Sequence, residues 1–411
     1  MGACASRLTD SRSSHEQHAP MWVVKVAEVL AMQGRMSPHQ ALKAKGLISL
    51  WSPEMFTVFV SHQWLGLHHP DPSGVQLEVL QSFLRNLIGK KLKLEADAVS
   101  QFYGGKLSAS DLGRIGSGYV WLDFFSVPQL MKGCWALGDA KEQHRYVQSI
   151  PSYVGLCHVF LALVPKAQHE TGAASSFHSW LQRGWCRTEM WCKCLSTGSR
   201  IPIVVVKSAD VAQFIMPRWV RYPVHSGDFS LEKDRASCSL VIQKALTQYI
   251  SELRRKKDKT RYRFYLALFE EMTGLEKRER SLEDFLFDFA FSKPVEQYKG
   301  LGPVACAALS GDHRLVRCLA ASCSLETQAP GMPEGSNAPG STPLHLAVPL
   351  NIARKLGPLS LGSRGMVPKP RPASLADPSG AASGSAEQFR TCDSALGILP
   401  YGRGRRSPRA A

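Results

Sequence analysis

The spacing of apolar and polar positions changes several times along the chain, and each change marks an element. Met21 to Met32 (MWVVKVAEVLAM) carries Trp22, Val23, Val26, Val29 and Leu30 at helical spacing, which predicts a packing helix. Phe56 to Val60 (FTVFV) is a short β-branched and aromatic run, and it predicts a buried strand that ends in a polar loop, Ser61-His62-Gln63. Val75 to Ile88 returns to helical spacing, and residues 90 to 118, with their Gly and Ser, read as a connection. Tyr119 to Phe125 (YVWLDFF) predicts a second strand, and a helical stretch at 141 to 153 leads to a third at Val159 to Val164. A helix opening near Trp185 leads to a fourth, Ile201 to Val206, and no fifth strand is evident.

Short, wholly apolar strands that alternate with helices predict a parallel sheet covered on both faces. In such a sheet the loops at the carboxyl ends of the strands build the ligand crevice. The polar residues fall there: Ser61, His62 and Gln63 after the first strand, Asp123 and Gln129 at and after the second, and Gly184 to Glu189 after the third.

Beyond residue 215 the pattern is helical, at Leu240 to Leu253, Tyr262 to Met272 and Leu282 to Phe291, and predicts a connector over 235 to 295. Gly302 to Leu319 then reads as a small-residue helix, a Gly-Asp turn and an amphipathic helix, and Thr342 to Ala347 reads TPLHLA. These two segments resemble ankyrin repeats, whose opening signature is TPLHxA; the Pro/Gly-rich residues 330 to 341 lengthen the usual period of about 33. The resemblance implies a partial array at 298 to 350 that binds protein partners.

With 411 residues the chain exceeds one ordinary domain, and two or three units are expected. Residues 1 to 20 are polar, and residues 351 to 411 replace apolar periodicity with Pro, Gly, Ser and Arg, so both ends are expected to be disordered. The start lacks a secretory apolar core and the 11 cysteines show no disulfide framework, which predicts reduced thiols and a cytoplasmic protein. The longest apolar run, Val154 to Pro165, is too short to cross a bilayer. Met1 to Ser6 (MGACAS) fits the pattern for acylation at Gly2 with Cys4 as a second lipid site, which would attach the chain to the inner membrane leaflet.

Part of the +16 net charge lies in Arg254 to Arg263 and Arg403 to Arg409. Both runs suit an anionic membrane surface or a solvated face; neither carries interleaved aromatics or a DNA-reading motif, which argues against nucleic acid. Cys186, Cys192 and Cys194 lack the paired spacing of a zinc site, so no metal is expected. Without GxGxxG, GxxxxGK[ST] or GxSxG, Rossmann, P-loop and serine-hydrolase chemistry are unsupported.

Three segments in order, VFVSHQW, YVWLDFF and Gly184 to Met190 (GWCRTEM), resemble the Toll-interleukin receptor (TIR) family. The last is similar to the plant-type W-C-L-x-E-L motif, with Trp185, Cys186 and Glu189 in register, whereas His62-Gln63-Trp64 departs from the family's Arg-Gly-Glu-Asp. The resemblance implies a flavodoxin-like α/β domain at about 50 to 215 that self-associates, and in which Glu189 splits NAD at the nicotinamide-ribose bond. NAD would be a substrate rather than a cofactor. Ser61, His62, Trp64, Asp123, Phe124 and Trp185 are the candidate contacts, the aromatic rings by stacking. Simpler readings stand beside these: core packing for Phe124, a strand-end hydrogen bond for His62, and a solvated helix-start acid for Glu189. The alternative function is a non-enzymatic adaptor that assembles through both modules.

Overall fold

The computed structural model describes residues 17–96, 100, 107–129, 137–196, 203–215, 221–294 and 301–320, with the side chains of 137–140 left aside. Gly2, Cys4, the TPLHLA segment and the tail from 351 lie outside these. The chain divides into Met1–Leu359 and Ser360–Ala411, and every described residue belongs to the first unit.

The first element corrects the expected helix at 21 to 32. Trp22–Lys25 is a strand, β1, which runs directly into a short helix, α1, Val26–Ala31. Val23 packs with Phe59 and Trp121 on one face of the sheet, Val24 with Val58 and Val120 on the other. A strand buried on both faces shows no polar alternation, so its contiguous valines mimic a helical stripe. After α2, His39–Ala44, comes the edge strand β2, Ile48–Leu50, and β1 pairs antiparallel with both β2 and β5, Tyr119–Leu122. The sheet therefore begins at Trp22, ahead of the boundary expected near residue 50.

Next come β3, Thr57–His62, and α3, Val75–Ile88, whose buried Leu77, Leu80, Leu84 and Leu87 follow helical spacing. The two-residue strand β4, Glu95–Ala96, and α4, Ala109–Gly116, lie in what reads from sequence as a connection. The α5 turn, Asp123–Ser126, follows β5, so the chain leaves the sheet at Asp123 rather than at Phe125. Then follow α6, Leu137–Leu156, β6, Val159–Leu163, the hairpin β7–β8 (Ala167–Gln168 and Ala174–Ser175), α7, Phe177–Gln182, and α8, Gly184–Leu195. The last strands are β9, Ile203–Val206, and β10, Ala212–Ile215.

The eight-stranded sheet runs β2-β1-β5-β3-β6-β9-β10-β4. Its centre, β5-β3-β6-β9, is parallel, while β1, β2 and β10 join antiparallel. The result is an α/β fold with a mixed, mostly parallel sheet and flanking helices. The parallel strands, taken in chain order, lie 2-1-3-4, which puts the reversal of winding between β3 and β6.

Side-chain alternation sorts the layers. Phe59, Trp121, Phe160, Ala162 and Val205 face one core with α6 and α8; Val58, Val60, Val120, Leu122, Leu161 and Val204 face the other with α1 and α3. Five further helices of the described chain, α9 (Glu232–Arg255), α10 (Lys259–Ala267), α11 (Phe269–Thr273), α13 (Pro303–Ser310) and α14 (His313–Ala320), add buried residues to the first core, as does α12 (Leu282–Asp288) through Phe285. The helical segment thus shares a core with the sheet.

The α13–α14 pair has the expected form. Pro303 opens the first helix, Gly311 ends it at φ 63°, and Asp312 accepts hydrogen bonds from the Arg314 and Leu315 amides at 3.1 Å to start the second. The basic run near 254 to 263 divides in two. Arg254, Arg255, Lys256, Lys257 and Lys259 are exposed, whereas Arg263 is buried, donates to the Phe289 and Ala290 carbonyls and lies 3.8 Å from the centre of the Phe291 ring. Among the described residues no helix is long and apolar enough to cross a membrane.

Candidate functional site

Seven polar side chains meet at the carboxyl end of β3. Because successive residues of a strand point to opposite faces, Ser61 follows Phe59 toward α8, and His62 follows Val60 toward α3. Both lie within the strand, not in the loop beyond it.

On the α8 side, the Ser61 hydroxyl donates to Glu189 Oε2 at 2.5 Å and accepts from the Trp180 indole N–H at 3.0 Å. Trp180 reaches it from α7, whose start is fixed by a reciprocal cap between Ser176 and Ser179. Glu189 belongs to the second turn of α8, and Gly184 begins that helix close against Gly227. A Cβ on Gly227 would stand 2.7 Å from the Gly184 Cα, so this contact admits no side chain. Gly227→Ala should therefore push the start of α8 outward and cost about 1–3 kcal/mol, measured as a lower urea midpoint. Arg187 fastens the same turn, donating to the carbonyls of Leu181 and Pro223 and to Ser226.

On the α3 side, His62 Nε2 lies 2.8 Å from Asp123 Oδ1 and Nδ1 lies 3.0 Å from Gln76 Oε1. The Gln76 amide nitrogen donates to the Gln63 and Pro70 carbonyls, which leaves its oxygen toward His62. Both imidazole nitrogens thus face acceptors, and only the imidazolium satisfies both. Asp123, at the turn from β5 into α5, also accepts from the Trp64 indole at 2.9 Å and the Phe124 amide.

These contacts separate the two carboxyl groups. Burial works against the charge on His62, but Asp123, with the Glu189 charge and the Gln76 hydrogen bond adding to it, raises the imidazole above its ordinary value. Burial likewise opposes ionisation of Asp123, and the His62 charge with three donated hydrogen bonds holds it below the usual carboxylate range; its side chain is 33% exposed. Glu189 has no such cation bonded to it. Burial pushes it up to about 8, against the pull of the Ser61 hydroxyl, with the Asp123 charge adding to the rise and His62 offsetting it. The two carboxyl groups are thus pushed in opposite directions, Asp123 toward its ionised form beside the His62 imidazole and Glu189 toward its protonated form.

No family model, curated protein or solved structure matches this chain.

The cluster brings together four of the seven residues expected from the sequence: Ser61, His62, Asp123 and Glu189, with Trp64 held against Asp123 by its N–H. Phe124 is buried and set edge-to-face with Trp64 and His69, so it packs as a wall. Trp185 leans away. Spacing of four residues along α8 predicts that it shares the crevice with Glu189, but its indole N–H donates to Asp234 of α9 at 3.1 Å and its ring packs against the core. Glu189, 8% exposed, is not the solvated acid of the simpler reading, whereas His62 does close hydrogen bonds at a strand end. Gln129 bonds the backbone of its own loop at Val127 and Asp123.

Two residues escape the sequence reading, Gln76 and Trp180. The signal for Trp180 is weak: an indole in an amphipathic segment reads as core, and only the fold places its N–H at Ser61. The loop after β3 is tied to the β7–β8 hairpin and to the start of α7. Gln63 accepts from Ser175 and Ser179, and Leu65 and Leu67 exchange hydrogen bonds with Glu170 beside the β7–β8 hairpin. Two surface cavities, of about 170 and 240 Å³, lie elsewhere: one against His18, His144 and Lys244, the other against Phe56, Arg114 and Tyr119. Among the described residues no three His, Cys, Asp or Glu side chains form a metal-holding group, and the seven described cysteines are free thiols.

Proposed function

We propose that this chain is a signalling protein whose α/β domain is TIR-like and cleaves NAD at the nicotinamide-ribose bond, with Glu189 as its catalytic residue. One observation carries the reading: a nearly buried Glu189 meets Ser61 at the carboxyl end of the central strand, beside the point where the sheet reverses its winding, and its ionisation is set apart from that of Asp123. Nicotinamide leaves from a pyridinium as a neutral molecule, so no strong acid is required. An ionised Glu189 then stabilises the cationic ribose, while water supplies the hydroxyl and releases one proton. Trp64 offers a ring at the edge of the cluster, and the helix pair of α13 and α14 supports the ankyrin-type reading of the segment beyond. Acylation at Gly2 and Cys4 would hold such a protein at an anionic membrane.

The full chain, incubated with NAD at high protein concentration, should release nicotinamide in proportion to protein and time. A second reading, a non-enzymatic adaptor, is favoured by the cluster's polar groups bonding one another. No release at any concentration would select it.

A further inference from the structure

Trp180, Ser61 and Glu189 form a chain of hydrogen bonds whose direction is determined by chemistry. An indole N–H can only donate, so the 3.0 Å contact makes Ser61 Oγ the acceptor. Ser61 is wholly buried, and its one strong acceptor among the described residues is Glu189 Oε2; the neighbouring Cys186 sulfur, whose own S–H points to the His62 carbonyl, is a weak acceptor only. If that hydroxyl proton pointed elsewhere it would be a buried donor without a strong partner, which is costly. The serine must therefore give its proton to Oε2. Among the described residues Oε1 has no hydrogen-bond partner, and it is not one of the fully buried polar atoms left without one.

We propose that Trp180 is a positioning residue for Glu189: acting through Ser61, it holds Oε2 as an acceptor and turns Oε1 to the crevice. This rests on the reading of Glu189 as the residue that meets the substrate. A carboxyl proton, when present, then sits on Oε1, and ionisation removes it from the atom that faces the ribose. Donation by Ser61 favours the charged form, so the pair also sets the pH at which the carboxylate appears. The other ionisable groups that act on Glu189 are Asp123 and His62 from the sheet ends, Cys186 and Cys192 on its own helix, and Cys238 on α9. The three thiols are raised by burial and stay neutral, which leaves the relay and the His62–Asp123 pair in control.

The test is a carbon-13 NMR titration of the Glu189 carboxyl in the full chain, assigned with Glu189→Gln, for wild type, Ser61→Ala and Trp180→Phe. Ser61→Ala should raise the midpoint by about one unit or more, since a hydrogen bond to the charged form is lost. Trp180→Phe keeps a ring but no donor, and should raise it by a smaller amount. An unmoved midpoint in Ser61→Ala overturns the relay, and a shift in Ser61→Ala with none in a folded Trp180→Phe overturns the role of Trp180. The titration needs no substrate. Shifted midpoints without nicotinamide release would sink the NAD reading alone, and release with unshifted midpoints would sink the relay alone.

Discussion

Glu189→Gln should abolish nicotinamide release, by about 10²-fold or more, and should at the same time stabilise the protein at alkaline pH. The two effects share one cause. Folding lifts Glu189 from an ordinary carboxylate to about 8, so between those values the folded chain binds a proton that the unfolded chain does not. For a group raised on folding, that contribution is fully present below the unfolded value and is lost as pH rises through the folded one. Wild-type stability should accordingly fall from about pH 5 to pH 8 through this group, by on the order of a few kcal/mol. Gln keeps the shape and can still accept from Ser61, yet carries no charge to bury. Its melting temperature should match that of wild type near pH 4 and exceed it by roughly 5–10 °C at pH 9. Release by the wild type should climb through pH 8 as the carboxylate forms. A Gln variant that releases nicotinamide at the wild-type rate would refute the catalytic role, and coincident melting curves at pH 9 would refute the burial argument.

The second large effect concerns Asp123. Removing one member of a buried pair strands the other charge, which typically costs about 3–5 kcal/mol. Solvent at the partly exposed Asp123 reduces this, and we expect about 2–3 kcal/mol for Asp123→Ala near pH 6. The sign with pH follows from both partners. His62 is raised on folding, so its contribution is complete below about pH 6.5 and fades as pH passes its folded value. Asp123 is lowered, so its contribution is present above its unfolded value and fades as pH falls through the folded one. The gap between wild type and variant should be widest between these limits. Proton NMR should show His62 titrating lower in the variant than in the wild type, because burial is then opposed only by the Glu189 charge and the Gln76 hydrogen bond. An unmoved His62 titration would show that Asp123 does not set its charge.

Much of the fold is legible in the order of residues. The helix at Val75–Ile88 and the strands near 57, 119, 159 and 203 follow from apolar spacing alone, because each buries a face that the residues themselves declare. Among the elements not legible in this way are β1, β4 and β10. β1 hides in a helical stripe because both its faces are buried; β4 has two residues; and β10 (AQFI) has four, pairing antiparallel after a turn in which Lys207 and Val211 share a hydrogen bond. In the site, strand and helix positions identify Ser61, His62, Asp123 and Glu189 as neighbours. They say nothing of Gln76, whose amide is oriented by the Gln63 and Pro70 carbonyls of the preceding loop, or of Trp185, whose N–H finds its acceptor on α9, 49 residues along the chain.

The opposed directions of Ser61 and His62 bear on what changes this protein can absorb. Each partner set is built on its own layer, so a replacement at either position alters one hydrogen-bond system and leaves the other standing. Adding or deleting a single residue in β3 acts differently, because every side chain beyond it changes face. The imidazole would then be thrust at Glu189 and the hydroxyl at Gln76, and both charge arrangements would fail together. Diversification of this strand should proceed by substitution, with its length held constant.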